Sequence, residues 1–382
     1  MSEQKITETP SGEKPVDVCF FYRDLSAGGV ERTFVELANN FVARGLRVQF
    51  LLESRNGAFE SELDPRIDII AMGTKGRIRR LLGLINYIRR VAPRNITTAV
   101  VNFNIVALAA RLLTGKRTTL TIAEVIDPLS EFFGGGSWKY KLNYLLVPIF
   151  YRFADRIVTK SEGVADSIAC VALIARDRIT VINNPVFKPE IIDKSQAPLA
   201  HPWIGKGRHS VVISAGRLVP QKDQATLLKA FALVSRQRPD ARLIILGEGP
   251  EKAALLKLRD ELSLEGIVDF VGVDSNPFRW FSRATVFALS SRWEGFGNVI
   301  VEAMACGCTP VSTDCRSGPS EILSHGRFGH LVPVADPAAL ANGILAALKQ
   351  PESQARMITR AAEFSVARAA TQYMEIFDLQ DF

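Results

Sequence analysis

The chain has 382 residues, 47% hydrophobic and 23% charged, which is ordinary for a globular protein and long enough for two domains with separate cores. It contains no apolar run of 18 or more residues, no C-x-x-C pair among its five cysteines and no zinc spacing among its four histidines; a transmembrane helix, a disulfide framework and the common zinc sites are therefore not expected, and a reducing cytosolic compartment is. The net charge of +7 is uneven, with 27 Lys/Arg against 21 Asp/Glu in residues 1–200 and 20 against 19 in residues 201–382, so an anionic partner is expected for the first half.

Residues 1–15 are polar, lack an apolar h-region and read as a disordered lead-in. Val16–Tyr22 is an apolar run, a buried strand. Val30, Phe34, Leu37, Ala38, Phe41 and Val42 recur at helical spacing, with Gly45 as the stop. Strands follow at Val48–Leu52, Ile67–Ala71, Thr98–Val101, Leu120–Ala123, Ile157–Thr159 and Thr180–Ile182, with helical segments between them. Segment 184–206 carries Pro185, Pro189, Pro198 and Pro202 with little periodicity and reads as a linker, with 187–207 as its bounds.

A second alternating series begins at Ser210. Its strands are Val211–Ser214, Leu243–Leu246, Val268–Val271, Val286–Leu289 and Thr309–Ser312. Its helices are Ala225–Val234, Lys252–Leu262 and Asn298–Cys306, and Asp336 caps another over Pro337–Lys349. The tail from Pro351 is helical. Apolar strands alternating with helices predict parallel sheets covered on both faces. The expected architecture is α/β: two tandem Rossmann-like doubly wound domains, 16–186 and 208–365, facing a central cleft. The helical tail 366–382 is expected to return to the first domain. Ligands of such sheets bind outside the carboxyl ends of the strands.

Three stretches carry candidate chemistry. Gly28-Gly29 follow the first strand and open the first helix, where the backbone can approach a ligand closely; a plain tight turn is the alternative. Gly216-Arg217-Leu-Val-Pro-Gln-Lys222 follows the first strand of the second series, and its two cations suit a diphosphate; two solvated loop cations are the alternative. Ser291-Arg-Trp-Glu-Gly-Phe-Gly-Asn-Val-Ile-Val-Glu302 places Glu294 in a glycine-rich loop and Glu302 two turns into the following helix, on roughly the same face. Bare N–H groups at that helix start would take phosphate, and carboxylates would take hydroxyl groups, which suits a nucleotide-sugar. A solvated glutamate pair is the alternative there. Gly247-Glu248-Gly249-Pro250 is a turn by composition that could also line a nucleotide pocket. No carboxylate cluster stands ready for a divalent metal.

These motifs resemble glycosyltransferase family 4, the retaining nucleotide-sugar glycosyltransferases of the glycosyltransferase-B fold. The matching stretches are Ala27-Gly-Gly-Val-Glu-Arg32, Gly216–Lys222, Leu246-Gly-Glu-Gly-Pro250, Glu294–Gly307 and Gly318-Pro-Ser-Glu-Ile322, in the family's order across residues 16 to 350. The resemblance implies that Gly28 and Gly29 meet the donor phosphate or sugar and that Arg217 and Lys222 bind the diphosphate. It implies that Glu294 faces the donor sugar, that Glu302 bonds the ribose, and that Gly295, Phe296, Gly297, Asn298 and Val299 supply backbone N–H groups. Many relatives carry a histidine in the first domain near the reacting sugar; here all four histidines lie at or beyond position 201. The corresponding stretch, Thr121–Pro128, offers Glu124 and Asp127, and Glu124 is either a donor or acceptor contact or a turn-capping carboxylate.

The expected activity is retaining, metal-independent transfer of a sugar from a nucleotide diphosphate sugar, a UDP-sugar by preference, to a glycan or lipid-linked saccharide acceptor, with no cofactor. The alternatives are a non-catalytic nucleotide-binding or scaffolding subunit and a nucleotide-sugar epimerase. The base-reading loop is expected near Val273-Asp274. The stretch from Lys75 to Arg94 sets Leu81, Leu82, Leu84, Ile85 and Ile88 between cations. It reads either as weak contact with the inner face of an anionic membrane or as a helix packed on the sheet with solvated arginines; the compromise sets Arg77, Arg80, Arg89 and Arg90 along the acceptor side. Nucleic acid is not expected, because no aromatic residues interleave those cations.

Overall fold

The computed structural model describes residues 14–26, 28–73, 76–115, 118–125, 127–128, 142–205 and 209–379. Ala27, Lys75 and most of the expected lead-in lie outside them. The chain divides into two compact units, Met1–Pro185 with Val366–Phe382, and Val186–Ser365.

The first unit holds a seven-stranded parallel sheet in the order β3-β2-β1-β4-β5-β6-β7. The strands are β1 Val18–Tyr22, β2 Val48–Leu52, β3 Asp68–Ala71, β4 Asn95–Ala99, β5 Thr119–Glu124, β6 Arg156–Thr159 and β7 Ile179–Val181. Helices α1 Gly29–Ala43, α2 Arg77–Val91, α3 Val101–Thr114 and α4 Glu162–Ala172 connect them. Every residue of β1, β2 and β4 is buried, as expected of parallel strands covered on both faces. β4 therefore starts earlier than its apolar letters indicate: Asn95, Thr97 and Thr98 sit inside the sheet, and Val101 opens α3.

α2 corrects the expected apolar stripe. Leu84, Tyr87 and Ile88 are buried, and Leu81 and Ile85 are packed against the same core. Leu82 faces outward with Ile78, at 60% and 74% exposure. Arg80 is not a free fringe cation either. Its Nε donates to Glu53 Oε1 at 2.7 Å, and its guanidinium lies 4.0 Å from the Phe103 ring centre.

The second unit holds a six-stranded parallel sheet in the order β10-β9-β8-β11-β12-β13. The strands are β8 Ser210–Ala215, β9 Ala241–Leu246, β10 Val268–Gly272, β11 Val286–Leu289, β12 Thr309–Thr313 and β13 His330–Val332. The longer helices are α5 Gln224–Gln237, α6 Lys252–Glu261, α7 Asn298–Ala305, α8 Pro337–Lys349 and α9 Gln354–Ala362. The proline-bearing segment read as a linker is integrated into this unit. Val186 and Ile191 are buried in its core, with Leu199, Trp203 and Ile204 packed against it, and Arg283 donates to the carbonyls of Ser195 and Ala197. These side-chain donors satisfy carbonyls of an otherwise irregular stretch whose one short helix, Glu190–Ser195, is too brief to leave a periodic trace.

Helix α10, Val366–Ile376, belongs to the first unit. Arg44 donates to Thr371 Oγ1 at 2.8 Å and to the Ala367 carbonyl at 3.0 Å. Lys160, only 2% exposed, donates to Tyr373 Oη at 2.9 Å.

Candidate functional site

In a doubly wound sheet the crevice opens where the strand order reverses. In the second unit that point falls between β8 and β11. The loop after β8 carries Gly216–Lys222, and the loop after β11 carries Ser290–Gly297. Hydrogen bonds zip the two together. Arg292 N–H donates to the Gln221 carbonyl at 2.8 Å, Gln221 Nε2 to the Trp293 carbonyl at 2.9 Å, and Ser290 Oγ to the Lys222 carbonyl at 2.8 Å. Arg292 also pairs with the buried Asp223 at 3.0 Å.

This zipper brings Lys222 Nζ to 2.6 Å from Glu294 Oε1. Ser291 Oγ donates to the same oxygen, also at 2.6 Å. Their side chains are 15% and 7% exposed for Lys222 and Glu294. A charge-assisted bond contributes about 1.5–3 kcal/mol and fixes where each group points. Lys222 has three N–H donors, so the pairing with Glu294 leaves others for an anion. In the sequence Ser291 only opens this stretch and carries no assigned role; its place three positions before Glu294 is the available signal.

The glycine-rich loop after Glu294 ends in Gly297, whose φ of +98° suits glycine. It precedes α7 and gives it no side-chain cap; the first N–H groups of the helix belong to the half-buried Asn298 and Val299. Phe296 is 3% exposed and stacks edge-on to Phe364 at 5.5 Å. Its ring anchors the loop. Glu302 is half-buried in the second turn of α7, close enough to Cys306 to add to the burial that pushes that thiol up to about 12.

Arg217 is exposed and lines a pocket with Gly216, Gly247, Glu248, Val273 and Asp274. The glycines make this junction possible. A side chain at Gly247 would meet the Gly216 carbonyl oxygen at 1.9 Å, and one at Gly249 the Leu218 carbonyl oxygen at 2.3 Å. Asp274 is fully engaged: it accepts from Asn276 N–H at 2.8 Å, Trp280 Nε1 at 2.7 Å and Arg279 Nη2 at 2.7 Å. Burial pushes its carboxyl up, but these donors hold it below the usual range. It thus sets the pocket lip by gripping its own loop.

The first unit carries the other candidates. Its strand order reverses between β1 and β4, and Gly28-Gly29 follow β1. Nothing lies within 4 Å of a Cβ built on Gly29, whereas one on Gly28 would meet Glu31 Oε2 at 2.2 Å. Glu31, 6% exposed, sits in the first turn of α1, and burial raises its carboxyl. Glu124 ends β5 and is 2% exposed. It accepts from Asn104 Nδ2 at 2.8 Å and from the buried Tyr151 hydroxyl, whose pKa burial and Glu124 raise. Asp127 is 1% exposed. Among the described residues, no group of three His, Cys, Asp or Glu side chains could hold a metal ion, and no helix is long and apolar enough to cross a membrane.

Residues 27–187 match the family model described as Glycosyltransferase Family 4, and residues 204–364 match Glycosyl transferases group 1. Two Rossmann-like units matched in that order define a glycosyltransferase of the glycosyltransferase-B fold. The chain is 32% identical over 278 residues to the N-acetylgalactosamine-N,N'-diacetylbacillosaminyl-diphospho-undecaprenol 4-alpha-N-acetylgalactosaminyltransferase of Campylobacter jejuni, covering 71% of this chain and 73% of that protein. It is 27% identical to the lipopolysaccharide core biosynthesis glycosyltransferase LpsE of Rhizobium meliloti, covering 88% and 89%. The fold is shared with HepE from Anabaena, solved in complex with UDP, at a TM-score of 0.75 and 22% identity over 95% of this chain and 99% of that one. The chain belongs to glycosyltransferase family 4.

Proposed function

We propose that the protein transfers a sugar, with retention of configuration, from a UDP-sugar to a lipid-linked saccharide. The observation that carries this reading is the Lys222–Glu294 pair at the switch point of the second sheet, 2.6 Å apart, on the two loops that carry Arg217 and lead into α7. Arg217 and the remaining Lys222 donors neutralise the departing diphosphate, and the α7 N–H groups take its outer oxygens. Glu294 orients the transferred sugar, and Glu302 bonds the ribose. The acceptor hydroxyl attacks on the face the diphosphate leaves, and a departing phosphate oxygen takes its proton. Gly29 is left without a side chain so that the donor can approach the backbone. Glu124, held by Asn104 and Tyr151, shapes the end of β5.

The UDP preference is supported by HepE, whose structure contains UDP, and the lipid-linked acceptor by the C. jejuni relative, whose name specifies a diphospho-undecaprenol. The outward face of α2, with Ile78, Leu82 and exposed arginines, is read as contact with the anionic surface carrying such an acceptor. The test is a panel of UDP-sugars with undecaprenyl-diphosphate saccharides as acceptors. UDP release dependent on acceptor is expected, undiminished by a chelator, with an α-linked product from an α-linked donor. A panel that yields no UDP release and no UDP binding would reject the reading, and a β-linked product would reject retention.

A further inference from the structure

Ser317 occupies a position that the fold alone would give to glycine. Its φ is +71°, in the left-handed region that side chains avoid. It is 8% exposed, and its Oγ is buried with no hydrogen-bond partner among the described residues. Both features are unfavourable, and glycine would remove both. Strained residues with unmet polar groups concentrate where a ligand completes them.

The surroundings say which ligand. Arg316 forms a parallel backbone bridge with Trp293, so the chain before Ser317 runs beside the residue preceding Glu294. Gly318, with φ of +93°, lies so close to the glycine-rich loop that a Cβ would sit 1.8 Å from the Phe296 carbonyl oxygen. Thr313 Oγ1 donates to the Ser291 carbonyl at 2.6 Å. Residues 313–318 therefore wrap the loop that carries Glu294, from Ser291 through Phe296. Ser317 stands between the two points of closest approach.

We propose that the Ser317 hydroxyl is a hydrogen-bond partner of the sugar carried by the nucleotide, alongside Glu294. This rests on the reading of the second unit as the UDP-sugar site. The hydroxyl both donates and accepts, as sugar hydroxyls do. No group among the described residues meets it; the bound sugar does.

The test uses the full chain with UDP-N-acetylgalactosamine, UDP-glucose and UDP, measured by calorimetry, and thermal unfolding without ligand. Ser317→Ala removes the hydroxyl and keeps the side chain at the strained backbone; Ser317→Gly removes both. The parent must bind UDP and at least one of the two UDP-sugars; if it does not, the donor-site reading fails first. Given that binding, both variants should lose about tenfold in affinity for the UDP-sugar and stay within twofold for UDP. The ligand-free Ser317→Gly protein should unfold no earlier than the parent. Unchanged UDP-sugar affinity in either variant, as a buried water on Oγ would give, overturns the proposal. So does an equal loss for UDP, or a loss in Ser317→Gly alone.

Discussion

Lys222 Nζ and Glu294 Oε1 lie 2.6 Å apart although 72 positions separate them in the chain. Each belongs to a different loop, and the loops meet because β8 and β11 are neighbours in the sheet. Glu294→Gln keeps the shape and the Ser291 contact but removes the charge. Turnover should fall at least about a hundredfold while UDP affinity changes less than about threefold, because under the proposed mechanism the carboxylate acts on the sugar and not on the nucleotide. Turnover within twofold of the parent would remove Glu294 from the mechanism.

Arg217→Ala and Lys222→Ala should each cut kcat/KM by about a hundredfold, the order expected when one donor to a developing charge is lost. The double variant should lose less than the product of the two, because under the proposed mechanism both serve one diphosphate. Lys222→Ala should also lower stability, since it leaves Glu294 mostly buried without its counter-ion. Multiplicative losses in the double variant would mean two separate targets.

The glycines divide into two kinds, and alanine substitution should separate them. Gly247 has φ of +142° and abuts the Gly216 carbonyl oxygen, so Gly247→Ala should lower Tm by several degrees. Around Gly29 there is open space and no positive φ, so Gly29→Ala should leave Tm within about a degree yet raise KM for the donor. Melting curves and donor titrations of both variants check this. A destabilised Gly29→Ala protein would make that glycine structural.

Burial pushes the Cys19, Cys306 and Cys315 thiols from 9.0 up to about 12. The folded state holds these protons where the unfolded chain releases them. Their contribution is complete below pH 9 and is lost as pH climbs toward 12. Each thiol should cost about 1 kcal/mol of stability between pH 9 and 10. Guanidinium unfolding in reductant at pH 8, 9 and 10 measures it. Cys19→Ala should show a decline smaller by that amount, and equal declines would reject the assignment.

Much of this architecture is legible in the letters, because strands buried on both faces and helices with one apolar side leave strong periodic traces. The start of Pro337–Lys349 falls on its Asp336 cap, and the helix from Asn298 begins directly after Gly297. What periodicity cannot carry is pairing. β13 spans three residues, His330–Val332, and exists only because β12 presents a free edge to it. Asn95, Thr97 and Thr98 look polar yet fill β4. The Lys222–Glu294 contact follows from strand order, which no single segment encodes, and the strain at Ser317 follows from the nearness of two loops. Leu82 shared its spacing with core leucines, and only the packing of α2 turned it outward.

That outward face yields the last prediction. Ile78 and Leu82 are 74% and 60% exposed, one turn apart on α2. Leu142 and Leu145, at 47% and 67%, flank Asn143, whose side chain accepts from Arg77. Arg79, Arg89 and Arg90 are exposed on the same helix, and no Asp or Glu occurs between Asp68 and Glu124. Exposed apolar side chains beside exposed cations match an anionic lipid surface, at about 1 kcal/mol per basic residue near it. Arg80 is left out because Glu53 holds it. Binding to vesicles rich in anionic lipid should be reversible and lost at high salt, since exposed charges are screened. Co-sedimentation with anionic and neutral vesicles measures this for the parent, for Arg79/Arg89/Arg90→Glu and for Ile78/Leu82→Ser. The charge variant should bind no better to anionic than to neutral vesicles, and the serine variant should bind anionic vesicles more weakly than the parent at equal salt. Parent-like binding by both variants, or no binding by the parent at low salt, would leave α2 as a core-packed helix with solvated arginines and the acceptor as a soluble saccharide.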